Sequence, residues 1–235
     1  MKKPYVICHM LTSIEGKIDG EWMSSAATSS ALAKYGALRN TFDAQATLYG
    51  TVTMLGSYSD GLAPDLAAFP ELPFEDYVAE SDVHNYIISV DPKGTLGFDL
   101  KYIEKKGRAK AHIIQVLTKE VDRRYLGYLK SRDISYIFAD SDALDCKLML
   151  EKLYEKFKIS RMILAGGGYV NWSLVQDDLV DEISIVIAPV TDGNTKSVSC
   201  FEKYDFLPYR APAVFRLKEV QVIEGDGVWL RYTLK

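Results

Sequence analysis

The sequence predicts an α/β domain, a mostly parallel central sheet with flanking helices that closes with a C-terminal antiparallel hairpin. Three observations carry this expectation. Apolar stretches of strand length alternate with amphipathic helical stretches almost to the end of the chain. The first apolar stretch, residues 5–11, is too continuous to have a solvent face, which places it centrally. The chain finishes with two alternating stretches around Glu224-Gly225-Asp226-Gly227, a strong turn signal.

Between these ends the elements follow in order. Residues 28–41 read as a helix with Thr28 or Ser29 as its cap. Residues 44–49 form a short strand ending at Gly50. From 55 to 82 the chain carries Gly56, Gly61, Pro64, Pro70 and Pro73, the mark of an irregular surface excursion. Strand 86–90 closes with the turn Asp91-Pro92-Lys93-Gly94, and strand 112–117 follows. A helix near 121–130 places Val121, Tyr125 and Leu129 on one face. After strand 134–138, Ser141 or Asp142 caps a helix whose Leu144, Leu148, Leu153 and Phe157 form an apolar stripe. Strand 161–164, a helical turn over 169–175 and strand 183–188 lead to the hairpin strands 214–223 and 228–234. No linker, repeat or low-complexity tract interrupts the 235 residues, so a single domain over 1–235 is expected.

Composition removes several function classes. A formal net charge of −4 offers no basic field for a nucleic acid. His9, His84 and His112 are far apart and make no metal-ligand spacing, so no metal is expected. Cys8, Cys146 and Cys200 are odd in number and widely spaced, as reduced thiols are. The apolar start lacks a small-residue cleavage site, and no run approaches the ~20 apolar residues of a membrane span. A cytoplasmic protein without a membrane partner is the expectation.

Two strand-to-helix junctions carry chemistry. In Met162-Ile163-Leu164-Ala165-Gly166-Gly167-Gly168-Tyr169-Val170-Asn171-Trp172 a strand runs into three glycines and a helix leaves them. Glycines let backbone approach a ligand, and the free amides of a helix start attract negative charge. The alternative is a tight turn with no ligand. The spacing is neither G-x-G-x-x-G nor a P-loop. In Tyr49-Gly50-Thr51-Val52-Thr53 a strand again ends in glycine, and Thr51 or Thr53 either donates to a phosphate or caps the helix. Together the two junctions suit a dinucleotide diphosphate gripped from both sides.

The motifs then become specific. Leu11-Thr12-Ser13-Ile14-Glu15-Gly16-Lys17-Ile18 resembles the S-L-D-G-K-I signature of the RibD C-terminal-domain reductases. Phe42-Asp43-Ala44 with Leu48-Tyr49-Gly50 and Thr53 resembles that family's S-D-A-x-L-x-G-x-x-T. Leu164 to Gly168, Leu179-Val180-Asp181-Glu182-Ile183 and Ile187-Ala188-Pro189-Val190-Thr191-Asp192-Gly193 resemble its E-G-G, L-[IV]-D-E-L and P-x-x-x-G ending. The resemblance covers about residues 5 to 200. It implies a dihydrofolate-reductase-like fold, NADPH as cofactor, a homodimer, and hydride transfer to a small-molecule substrate, the ribosylamino-pyrimidine phosphate of riboflavin biosynthesis.

Carried over by position, Gly50, Thr51 and Thr53 match the family's first cofactor loop, and Gly166, Gly167, Gly168, Tyr169 and Val170 its second. Lys17 matches the substrate-contacting lysine, and Trp22, Ser24 and Ser25 the element lining the substrate pocket. Ser89 and Lys93 are candidates for the adenosine 2′-phosphate, against an ordinary turn. The sequence departs from the family twice. Glu15 replaces an aspartate, and Ala165 stands where the family has an acid before the glycines, which leaves a same-fold paralogue with another substrate, or a non-catalytic NADP(H)-binding protein, as alternatives. No catalytic proton donor is assigned: Asp60 and Asp65 lie in the irregular excursion, Asp181 and Glu182 read as structural, and His9 reads as a core histidine. The H-x-E and P-C-x-x-C signature of the zinc deaminase found with such reductases is not in the sequence, so reduction alone is implied.

Overall fold

The computed structural model describes residues 2–139, 144–205, 207 and 209–235. Ten strands and five α-helices are formed along these residues. They begin with β1 (Tyr5–Thr12), α1 (Ser29–Arg39), β2 (Ala46–Gly50), α2 (Thr51–Ser57), β3 (Tyr86–Val90) and β4 (Tyr102–Ile103). Next come β5 (Ala111–Leu117), α3 (Arg123–Ser131), β6 (Ser135–Phe138), α4 (Cys146–Phe157) and β7 (Arg161–Leu164). The last are α5 (Gly168–Gln176), β8 (Glu182–Ile187), β9 (Phe215–Val222) and β10 (Val228–Leu234). Every expected strand is present, and the two-residue β4 is one that residue patterning does not reveal.

The chain divides into two compact units. One holds Gln45–Met162 with the chain start up to Pro4, the other Tyr5–Ala44 with Ile163–Lys235. In the first, β2, β3, β5 and β6 lie side by side in parallel, and β4 is antiparallel to β5. The valines and isoleucines of these strands are almost wholly buried, as parallel strands covered on both faces require. The expected turn after β3 closes with Gly94 N–H donating to the Asp91 carbonyl at 2.9 Å. Helix α3 starts at Asp122, whose carboxylate accepts from Arg124 N–H at 2.9 Å. Its expected stripe of Val121, Tyr125 and Leu129 is buried.

Two expectations shift in this unit. Ser141 and Asp142 lie outside the described residues, and α4 begins three residues later, with Asp145 accepting from Leu148 N–H at 3.0 Å. That start rotates the buried stripe to Cys146, Met149, Leu150, Leu153 and Phe157, leaving Leu144 and Leu148 half-buried. The irregular excursion also begins later than expected, because α2 runs on to Ser57.

In the second unit β1 lies between β8 and the Ile163–Leu164 end of β7, and seven of its eight residues are buried. β8 runs parallel to β1, while β10 and β9 complete the row antiparallel. The hairpin turn closes as read, with Ile223 N–H donating to the Gly227 carbonyl at 2.9 Å. Helix α1 begins at Ser29 after a short 3₁₀ turn, Ala26–Thr28. Thr28 does not cap α1 with its side chain; its hydroxyl donates to the Trp22 carbonyl at 2.7 Å. Helix α1 packs on β1 and β8.

Candidate functional site

In the second unit, buried Ile163, Leu164 and Ala165 carry the chain to the glycines. Gly167 is the residue before α5, and no side chain caps that helix. The first amides of a helix have no carbonyl partner within it, so this end presents donors and the positive pole of the helix dipole. The glycines differ in what they permit. A Cβ on Gly167 would meet nothing within 4 Å, whereas one on Gly168 would stand 2.3 Å from the Ser199 carbonyl oxygen and 3.2 Å from Glu202. Gly167 thus borders open space, and Gly168 is a close backbone approach. Tyr169, just inside the helix, is 36% exposed and stacks on Tyr204 with ring centroids 3.9 Å apart.

The segment against Gly168 is also bridged to Lys17. Lys17 forms an antiparallel bridge with Ser199, Ile18 N–H donates to Val198 and Cys200 N–H to Gly16, both at 2.9 Å. Beyond it, Glu202 N–H donates to the Gly168 carbonyl at 3.0 Å, and the Glu202 carboxylate accepts from Ser199 N–H and Oγ. The strap 197–202 therefore ties Lys17 to the glycine turn. Sequence reading assigned this strap no role, and six residues are too few to carry a periodicity by which to find it. The Lys17 ammonium donates to the Ser197 carbonyl at 2.9 Å.

The other substrate candidates are placed unequally. Trp22 is 3% exposed with its indole N–H on the Asp19 carbonyl, so it shapes the loop from beneath. Ser25 accepts from Ala27 N–H, capping a 3₁₀ turn, and Ser24 is exposed. Glu15 accepts from Asp192 N–H at 3.1 Å.

The first unit holds the other junction. Gly50 is buried and precedes α2, which has no side-chain cap, so capping by Thr51 or Thr53 is not what the structure shows. Thr51 Oγ1 donates to the Val90 carbonyl at 2.9 Å, and Thr53 is half-buried. Of the 2′-phosphate candidates, Ser89 is fully buried and Lys93 pairs with Glu120 at 3.3 Å on the surface. Ser89 lies within β3, its buried hydroxyl without a hydrogen-bond partner among the described residues, and Lys93 lies in the turn after it.

The titratable candidates are committed to internal bonds. His9 is fully buried, stacked on Tyr35, with Nε2 3.0 Å from the Tyr35 carbonyl and Nδ1 3.0 Å from Ser184 Oγ. A carbonyl only accepts, so Nε2 carries the proton and Ser184 donates to Nδ1. The Trp229 indole N–H donates in turn to Ser184 Oγ at 2.9 Å. Burial takes the His9 pKa down to about 4, which keeps the ring neutral. Asp181 accepts from Val6 N–H at 2.7 Å, clasping β1. Glu182, 2% exposed, accepts from Lys218 and Arg231 at 2.9 and 2.7 Å. Asp60 accepts from Asp99 N–H, and Asp65 from Ala67 N–H at the head of a 3₁₀ turn. Cys8, Cys146 and Cys200 are buried thiols outside any disulfide, and burial pushes the Cys200 thiol up to about 12. Among the described residues no group of three or more acidic, histidine or cysteine side chains could hold a metal ion, and no helix is long and apolar enough to cross a membrane.

Comparison with known proteins follows the same residues. A family model described as the RibD C-terminal domain matches residues 4–229. A pyrimidine reductase-like protein from Corynebacterium diphtheriae superposes with a TM-score of 0.71 at 15% identity, over 100% of this chain and 93% of that one. The riboflavin biosynthesis reductase Rib7 of Saccharomyces cerevisiae gives a TM-score of 0.64 at 18% identity, over 100% and 91%. RibD of Acinetobacter baumannii gives 0.64 at 18% identity, with all of this chain covering 59% of that one. The chain thus spans about three fifths of that RibD, and at these identities the likeness is one of fold.

Proposed function

The chain belongs to the RibD C-terminal domain family, and on that premise we propose that it is an NADPH-dependent reductase acting on the ribosylamino-pyrimidine phosphate of riboflavin biosynthesis. The observation that carries the reading is the α5 start, an uncapped helix end with open space beside Gly167. A phosphate fits such an end, because backbone amides and the helix dipole meet its charge without any side chain. Gly166, Gly167, Gly168, Tyr169 and Val170 would hold the pyrophosphate, and Gly50, Thr51 and Thr53 are assigned to the same cofactor by their place in the family motif. NADPH, when bound, supplies the hydride.

The chain's own residues bind and orient. Lys17, fixed through its backbone to the strap 197–202, brings a positive charge to the substrate phosphate or ring carbonyl, releasing its bond to the Ser197 carbonyl. Ser24 is exposed and free to meet a polar substrate edge, while Trp22 and Ser25 hold the loop in shape. The rate gain would come chiefly from holding two reactants in one geometry.

A second reading is favoured by one observation. Ala165 is 7% exposed, so a buried methyl occupies the place of the family acid. If that acid orients the pyrimidine elsewhere in the family, this chain reduces a different small heterocycle. Titration with NADPH and NADH, then cofactor oxidation with the pyrimidine phosphate, separates the readings. Binding with turnover supports the first, binding without turnover the second, and failure to bind either nucleotide refutes both.

A further inference from the structure

We propose that Asn171 is the positioning residue for Lys17. Its side-chain amide, on the fourth residue of α5, grips the strap 197–202 at the Cys200 carbonyl and so sets where Lys17 stands relative to the helix start. The proposal rests on the reductase reading only in making Lys17 a substrate contact; the grip itself is a matter of burial and hydrogen bonds.

Asn171 is the polar exception on the buried face of α5. At spacings of three and four it shares that face with Leu174 and Val175, and it is fully buried with them. An amide there is a poorer helix former than leucine and brings two polar ends into an apolar place. Among the described residues only one end is used. Nδ2 donates to the Cys200 carbonyl at 2.9 Å, and Oδ1 meets no donor. A carbonyl only accepts, so the amide cannot turn round to satisfy its oxygen without losing Cys200. A buried acceptor left unmet weakens a fold. The amide therefore holds the strap while its own oxygen goes unmet, a task no apolar side chain of the same size performs.

The grip reaches Lys17 in two steps. Cys200 is held on both sides, its carbonyl by Asn171 and its N–H by the Gly16 carbonyl at 2.9 Å. Gly16 directly precedes Lys17, and Ile18 N–H on the Val198 carbonyl pins the other side. The Lys17 ammonium rests on the Ser197 carbonyl of the same strap. Backbone and ammonium of Lys17 thus both take their places from the strap.

The strap in turn is hydrogen-bonded to α5 at two points. Glu202 N–H donates to the Gly168 carbonyl at 3.0 Å, which fixes the end of the strap, and Asn171 fixes its middle, at the residue that meets Gly16. Asn171 also donates its own N–H to the Gly167 carbonyl at 3.0 Å. One residue therefore touches both the turn assigned to the pyrophosphate and the strap bridged to Lys17, and keeps the two at a fixed separation. A displacement of ~1 Å in a positioned group can lower a rate on the order of a hundredfold. Loss of one of two ties should move Lys17 by less, with an effect of about tenfold.

The test uses the full chain with Asn171→Leu, which keeps the volume and removes the donor, and Asn171→Asp, which sets an acceptor against the Cys200 carbonyl. Lys17→Met, alone and combined with Asn171→Leu, completes a cycle. Hydrogen exchange of the unliganded chain, read by peptide mass spectrometry, should be about tenfold faster or more at residues 16–18 and 198–200 in both Asn171 variants. Residues 183–187 of β8 should exchange as in the wild type. Competitive acetylation should label Lys17 severalfold faster in Asn171→Leu, with exposed Lys93 as the internal standard. With the pyrimidine phosphate and NADPH, Asn171→Leu should raise the substrate KM about tenfold, leave NADPH affinity within about twofold, and add nothing to Lys17→Met.

Unchanged exchange at both segments overturns the grip. A KM effect that is the same with and without Lys17→Met overturns the route through Lys17, and so does an equal loss of NADPH affinity, because Asn171 would then act on the helix start or the fold at large. If the wild type turns over no pyrimidine phosphate, the reductase reading falls, and exchange and acetylation decide the grip without it. Should Asn171→Asp misfold, Asn171→Leu alone decides.

Discussion

Two neighbouring glycines should respond to the same methyl group in opposite ways. In Gly168→Ala the new Cβ would lie 2.3 Å from the Ser199 carbonyl oxygen, about 1 Å inside ordinary contact. Ser199 cannot simply retreat, since the Lys17 bridge and the Glu202 carboxylate hold it. Overpacking of this kind costs ~1–3 kcal/mol, and the better helix propensity of alanine returns at most ~1 kcal/mol. A net loss of about 1–2 kcal/mol should lower the melting temperature by roughly 2–8 °C for a chain of this length. In Gly167→Ala the methyl points into open space, and φ of −63° suits alanine. A small loss at the helix cap and the smaller entropy of the unfolded chain nearly cancel, so melting should move by no more than about 2 °C. If a phosphate uses that space, NADPH affinity should fall about tenfold, or ~1.4 kcal/mol. Thermal unfolding by circular dichroism and NADPH titration by fluorescence read the two effects apart. Gly168→Ala melting with the wild type would refute the packing argument; Gly167→Ala binding NADPH as tightly as the wild type would refute the phosphate placement.

Other expectations follow from buried charge. His9 and His112 are both held down to about 4 by burial. The unfolded chain binds protons at about 6.5 and the folded chain does not, so their contribution is full above that pH and is lost as the pH falls toward 4. At pH 5 each should cost about 2 kcal/mol relative to pH 7.5, while Asp91, whose carboxyl burial raises, works in the opposite sense at lower pH. Urea midpoints that stay flat between those pH values would contradict the assignment. Glu182→Gln leaves Lys218 and Arg231 facing a neutral amide; both cations are partly exposed, so a loss of about 1–3 kcal/mol is expected, measured by urea unfolding. Lys17→Met keeps the backbone bridge to Ser199 but removes the ammonium. KM for the phosphorylated substrate should rise at least tenfold with NADPH affinity unchanged, and an equal loss in both would assign Lys17 to the cofactor.

The fold was legible because its elements are written in period and punctuation. Residues 5–11 lack a polar–apolar alternation, and β1 is buried from Val6 to Thr12. Glu224-Gly225-Asp226-Gly227 announces a turn, and the chain turns there. What was not legible depends on partners distant in sequence. β4 is two residues long and exists because Tyr102 and Ile103 find β5. The α4 stripe was misphased because Asp145, one of several acidic and hydroxyl residues at 140–145, is the residue that accepts from the first turn. A bulge at Lys218, between the pairs Glu219–Arg231 and Leu217–Tyr232, is likewise invisible to a period-two reading, which sorts Leu217 and Val220 onto opposite faces.

The candidate site divides along the same line. Three glycines between strand and helix can be read from the sequence, but their division of labour cannot, since it depends on what stands beside each Cα. Gly168 is fixed by Ser199 and Glu202, more than thirty positions away in the chain, whereas Gly167 has nothing beside it. A sequence motif treats the two as equivalent. Of the two, Gly167 leaves room for a ligand, while Gly168 lets the strap bridged to Lys17 close on the helix start. A variant chain with alanine at 167 could therefore keep the family fold while binding cofactor weakly, and one with alanine at 168 would disturb the strap first and the cofactor loop through it. Retention of these two glycines is accordingly an argument about two different constraints, close packing at Gly168 and open space at Gly167.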